Sequence, residues 1–249
     1  MDPLRVAEKA VVWLAGVPGV DGIMVFGSVA RGDADVRSDI DVLVVSRDAD
    51  LGPAAVRAHL PRRLRRSRLA FTCVQPHRLR WMWQRGDVLA HHLFAEGQVL
   101  FDRDGALTAL MTAEPQRSAN LPTQLAAVRA QLRAFDDLAV FRGELLFALS
   151  SIYALTKGVI LADLVDNGAT SFNRQAAFEI FSAKHPTLAD DIRTLAELEP
   201  FYATVTRRQP AAAALAADDL ESTARCAVLA LQRLCTQLQG HDSHEEGPP

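Results

Sequence analysis

A Gly-Ser pair and an Asp-Ile-Asp triplet, ten residues apart and set between two apolar runs, constrain this chain more than any other feature. The runs are Ile23 to Phe26 and Ile40 to Val45. Both are short, rich in β-branched residues and bounded by turn formers, which predicts two buried strands. Gly27-Ser28 stops the first, and Val29-Ala30-Arg31-Gly32 follows. A Gly-Ser turn that opens a short helix points backbone N–H groups outward, an arrangement suited to a phosphate. Strand side chains alternate, so Asp39 and Asp41 project to one face while Ile40 and Val42 project to the other. Two carboxylates this close repel each other unless a cation lies between them. Oxygen-only ligation by one or two carboxylates, completed by substrate phosphates, suits Mg²⁺.

A phosphate cradle beside a metal-binding pair is the equipment of nucleotidyl transfer. The run Gly27-Ser28, Ala30-Arg31-Gly32, Ser38-Asp39-Ile40-Asp41 resembles the signature of the nucleotidyltransferases of the DNA polymerase beta superfamily. It is most like that of the small bacterial aminoglycoside adenylyltransferases and the minimal nucleotidyltransferases of toxin–antitoxin pairs. Ala95-Glu96-Gly97-Gln98-Val99-Leu100-Phe101-Asp102 is similar to the phrase that often closes their catalytic domain. The resemblance implies a transferase in which Gly27 and Ser28 hold the β- and γ-phosphates. Arg31 and Ser38 would also serve the nucleotide, Arg31 by assisting directly or by tying down the loop. Asp39 and Asp41 would be catalytic and hold Mg²⁺. The co-substrate would be ATP or another nucleoside triphosphate, and the product an adenylylated hydroxyl of a small, aminoglycoside-like molecule. Two other readings stand beside it: a catalytically impaired regulatory module that binds nucleotide, and a toxin–antitoxin type enzyme acting on a protein or tRNA.

The superfamily usually supplies a third carboxylate from the next strand, where it serves the acceptor hydroxyl. Here the matching strand is Leu69 to Val74, no Asp or Glu occurs between Leu51 and Gly86, and Ala70 stands near the expected place. In one aminoglycoside-modifying member, the kanamycin nucleotidyltransferase, a glutamate of the helical domain acts as base. Phe141 to Gly158 is similar to that domain's central helix, which makes Glu144 the candidate base; the alternative is a glutamate that faces water or pairs with Arg142. Tyr153 and Lys157 are four apart and share a helix face. By resemblance Lys157 would reach the triphosphate, or else it faces solvent.

The fold expected is α+β: a small mixed sheet flanked by helices over residues 1–115, then an all-α bundle over 120–240, with the active cleft between them and a disordered tail at 241–249. Helices are expected over residues 4–16, 53–64 and 88–95, and a closing strand over 99–101. After residue 105 the alternating pattern gives way to helical spacing over 125–139, 141–166, 174–184, 187–206 and 211–238. Asn167-Gly168 is a helix stop.

Charge is unevenly distributed. Nine of the chain's 27 Lys and Arg residues are arginines between Leu51 and Gly86, where none of its 30 acids falls. They form either a surface for a polyanion such as tRNA, with Trp81 and Trp83 as stacking platforms, or a solvated face paired with Asp136, Asp137, Asp190 and Asp191. His91 and His92 read as core or surface histidines rather than ligands. Cys73, Cys226 and Cys235 lack metal-ligand spacing and read as buried thiols of a reducing cytoplasm. No apolar run is expected to span a membrane, and no export signal opens the sequence. The partners expected are a nucleoside triphosphate and a small-molecule acceptor, with a monomer or homodimer as the assembly.

Overall fold

The computed structural model describes residues 2–35, 38–117, 119–135, 145–169, 171–207 and 217–242. The chain divides into two compact units, one of residues 1–118 with 170–173, the other of 119–169 with 174–249.

The first unit is built on a four-stranded mixed sheet of order β3-β2-β1-β4. Helix α1 (Pro3–Leu14) leads into β1 (Val20–Phe26), and β2 (Ile40–Ser46) returns antiparallel to it with Phe26 opposite Asp41. Helices α3 (Pro53–His59) and α4 (Arg62–Arg65) carry the crossover to β3 (Leu69–Val74), which lies parallel to β2. The expected single helix over 53–64 is two helices, because Pro61 removes a backbone donor and Leu60 before it is extended. Helix α5 (Pro76–Arg85) was not foreseen; α6 (Val88–Glu96), β4 (Gln98–Asp102) and α7 (Ala106–Leu110) complete the unit. Strand alternation sorts the sheet into two faces. Ile23, Val25, Val42, Val44 and Leu69 pack with residues of α1, α3 and α4, while Met24, Phe26, Leu43 and Val45 pack with residues of α5, α6 and α7. Both faces are covered, so these strands read as continuous apolar runs rather than alternating ones.

The second unit is helical. Helices α8 (Asn120–Leu132), α10 (Arg174–Lys184), α12 (Glu199–Arg207) and α13 (Ala217–Asp242) pack around α9 (Leu145–Asp166), and α11 (Ala189–Ala196) packs on α13. Asp166 accepts from the amides of Asn120 and Leu121 at 2.9 and 2.7 Å, so one helix caps the start of its neighbour. The α9 stop is as expected: Gly168 has φ 77°, and the Ala169 amide reaches back to the Leu164 carbonyl at 2.8 Å. The helix expected over 187–206 is split into α11 and α12 around Glu197-Leu198, ahead of Pro200. Contrary to the sequence expectation, α9 is long and apolar enough by length and composition to cross a membrane; just over half of its most apolar stretch is buried within the protein. The α-helical content and the small mixed sheet make the class α+β, as the sequence implied.

Candidate active site

Four chain segments meet at one end of the sheet. Strand β1 ends there at Phe26, β2 begins there opposite it, β3 begins beside β2, and β4 begins with Gln98 opposite Val25. The turn after β1 is the short helix α2 (Ser28–Arg31), with Gly27 as its N-cap at φ 71° and Gly32 closing it at φ 81°. Gly27 is needed twice over. Its backbone is left-handed, and a Cβ there would lie 2.8 Å from Oδ2 of Asp41. The Asp41 carboxylate therefore faces the backbone that opens α2. Ser28, Asp39 and Asp41 are half-buried. Asp39 immediately precedes β2, whose first amide, that of Ile40, is bonded to the Arg68 carbonyl at 2.9 Å. The parallel register sets Ala70 beside Asp41. Among the described residues, no group of three or more His, Cys, Asp or Glu side chains is placed to hold a metal ion.

Residues 4–70 match the family model for a nucleotidyltransferase domain. The matched residues run from α1 to the start of β3, within the first unit. No curated protein matches the sequence. Two solved structures are similar at low identity. One, described as a toxin–antitoxin with AMP-PNP, is 18% identical, covers 53% of this chain and 98% of its own, and has a TM-score of 0.31. The other, a nucleotidyltransferase-like protein from Exiguobacterium sibiricum, is 18% identical, covers 92% of this chain and 74% of its own, and has a TM-score of 0.37.

The arginine of the motif is committed to holding its own loop. Arg31 Nε donates to Asp33 at 3.1 Å, and its Nη1 donates to Glu96 Oε2 at 2.5 Å. Glu96 also binds His92 Nε2 at 2.9 Å. Burial pushes the Glu96 carboxyl up, but His92 and Arg31 together outweigh it and hold the carboxyl below its ordinary range. His92 lies edge-on to Phe26 and stacked on Phe172 with ring centroids 4.5 Å apart, while Asn173 donates to Asp33 at 2.7 Å. Gln98 adds a bond from its side chain to the Ala30 carbonyl at 2.7 Å. Thus α2 is pinned by residues about 65 positions later in the chain. Sequence reasoning missed Glu96 and His92 as part of this frame; the only sequence signal was their i, i+4 spacing beside the closing phrase.

Ser38 is engaged with its own turn: its hydroxyl donates to Asp35 Oδ1 at 2.8 Å and accepts from the Asp35 amide at 3.0 Å. Lys157 belongs to the second unit, with its ammonium 5.3 Å from the centre of the Tyr202 ring. Tyr153 is buried against Phe178 and Tyr202, and burial pushes its phenol up to about 12. Glu144, the candidate base, and Arg142, its alternative partner, lie outside the described residues, as do Asp136 and Asp137.

The arginine stretch separates into structural and free members. Arg57 donates to the carbonyls of Arg65, Ser67 and Leu69, and Arg65 Nε donates to Leu60 at 2.6 Å, which together fasten the crossover. Arg62, Arg63, Arg66 and Arg68 are exposed, and no carboxylate among the described residues pairs with them. Asp190 and Asp191 do not serve them; they bind Arg193 and Arg233 at 3.1 and 2.5 Å. Trp83 is no stacking platform, because it is buried with its indole N–H on the Ala113 carbonyl at 2.6 Å. Trp81 is 41% exposed and carries Arg78 4.0 Å from its ring centre. The thiols also depart from expectation: Cys235 is buried, Cys73 half-buried and Cys226 exposed, and all three are free.

Proposed function

We propose that the enzyme transfers a nucleoside monophosphate, AMP from ATP in the simplest case, to an acceptor hydroxyl with the help of Mg²⁺. The observation that carries this reading is the approach of the Asp41 carboxylate to Gly27, with Asp39 two residues before it. A pair of hard oxygen donors two residues apart, one of them facing backbone that only glycine can supply, fits a divalent cation that takes its remaining ligands from phosphate and water. Asp39 and Asp41 would hold that ion, and when bound it offsets charge on the triphosphate and on departing pyrophosphate. Gly27 and Ser28 position the β- and γ-phosphates at the start of α2. Arg31, anchored to Asp33 and Glu96, keeps those amides in place, and Ser38 fixes the approach to Asp39. In the transfer, the acceptor oxygen forms a bond to the α-phosphorus as the α–β bridging P–O bond breaks. Pyrophosphate leaves with that electron pair, and the hydroxyl proton passes to a base, for which we assign Glu144. Lys157 belongs in this reading as a phosphate ligand.

The acceptor in this reading is a small hydroxyl compound of the aminoglycoside type. The free arginines of α4 and of the approach to β3 favour a second acceptor class, a tRNA or other polyanion. Ala70 beside Asp41 supports a third reading, in which the domain binds nucleotide without efficient transfer. The three free thiols are in keeping with work in a reducing cytoplasm. Turnover of α-labelled ATP by Asp39→Asn tests the assignment: transfer should fall below detection with the fold intact, and undiminished turnover would overturn the roles given to the pair.

A further inference from the structure

A cavity of about 760 Å³ opens in the first unit at the end of the sheet opposite Gly27 and Asp41. Its walls include Gly22 near the start of β1, Val45 near the end of β2, Gln75 just after β3, and Asp102, the last residue of β4. At about 3.3 Å per residue, the four positions from Asp41 to Val45 put it roughly 13 Å along the sheet from the carboxylate pair. A hydroxyl bound there cannot attack a nucleotide held at Gly27, so the cavity is separate from the transfer site.

Its walls combine apolar side chains with a set of charged and polar ones, the mixture that holds and orients a small molecule. Val45, Leu79, Leu107 and Leu110 give the floor. Leu107 can lie on the sheet because Gly22 lacks a side chain; a Cβ there would come 2.9 Å from Leu107 Cδ2. Most of the charge around the mouth is already spent. Asp21 binds Arg47 at 2.6 Å, and Asp102 accepts from the amides of Leu107 and Thr108 at 3.4 and 2.7 Å to start α7. Of the remaining groups, Asp104 is exposed, and the Arg80 guanidinium and His77 imidazole have no carboxylate partner among the described residues. We propose that this cavity binds a small molecule with an apolar, ring-sized body and one anionic group, the body on the leucine floor and the anion at Arg80 and His77.

The probe 8-anilinonaphthalene-1-sulfonate has that chemistry. Titrated into the folded full-length protein, it should give saturable one-to-one fluorescence. Its uncharged relative N-phenyl-1-naphthylamine should bind about tenfold more weakly, as should the sulfonate to Arg80→Glu, each the loss of one charge-assisted contact. Ala109→Trp, which fills the cavity from α7, should abolish the saturable phase while leaving ATP binding and the circular dichroism spectrum unchanged. Asp39→Asn/Asp41→Asn should bind the probe as the wild type does. Non-saturable wild-type fluorescence, or equal affinity in Arg80→Glu and Ala109→Trp, would overturn the proposal without touching the nucleotide site.

Discussion

Gly27 is where local chemistry is most tightly specified. Any side chain would have to adopt a left-handed backbone and displace Asp41 Oδ2 from 2.8 Å. Gly27→Ala should cost about 1–3 kcal/mol of stability, read by denaturant unfolding, and should weaken nucleotide binding more than Ser28→Ala does. The turn at Gly27 and the place of Asp41 at the start of β2 were legible in the sequence because both are local, while Asp39, expected on the same strand, lies just ahead of it. Ala70 was legible only as an absence, and its place beside Asp41 needed the β2–β3 register. That register makes a gain-of-function test available. Ala70→Asp should raise the rate of transfer if a carboxylate at this position is what the site lacks; an unchanged rate with the fold intact would show that acceptor activation comes from elsewhere. At Tyr153, ultraviolet titration should show a phenol ionising near 12, and the stability gained by burying it neutral, full below its ordinary 10.0, should be lost as pH rises from there through the folded value of about 12.

At the scale of elements, α2 is held by groups that no local pattern reveals. Arg31 and Glu96 are 65 residues apart, and the pair forms only because β1 and β4 are antiparallel neighbours. Glu96 has a depressed folded pKa, so its contribution is fully present above the ordinary carboxylate value of 4.5 and is lost as pH falls through the folded value. Glu96→Gln should therefore cost about 1–2 kcal/mol at pH 7 and less in acid. Amide exchange of α2 should rise in the same variant ahead of exchange in β1. The elements that escaped the sequence reading were those with weak patterns. Helix α5 buries only Leu79, Met82 and Trp83 among ten residues, although Pro76 at its start and Gly86 at its end are ordinary helix boundaries. The strands were legible because burial on both faces writes an apolar run directly into the sequence.

At the scale of the whole molecule, charge is segregated along the chain: nine arginines and no acid between Leu51 and Gly86, in a protein of net charge −3. The exposed set Arg62, Arg63, Arg66 and Arg68 has no acid partner among the described residues, whereas Arg57 and Arg65 are tied to backbone carbonyls. Composition could count these residues but could not separate the two kinds. If the free set guides a polyanionic acceptor, replacing those four by Glu should weaken tRNA binding and flatten its dependence on log salt by about 3. Salt-independent or unaltered binding would leave the small hydroxyl compound as the acceptor. The bundle residues that would choose between acceptors follow no fixed spacing, which is why the sequence carried the donor half of the reaction further than the acceptor half.

The most direct measurement is calorimetric titration of ATP, with and without Mg²⁺, into the wild-type protein and into Asp39→Asn/Asp41→Asn. Binding that requires the ion in the wild type and disappears in the double variant is the expected result. Equal binding by both proteins, or wild-type binding indifferent to Mg²⁺, would contradict a metal-dependent nucleotide site at this end of the sheet.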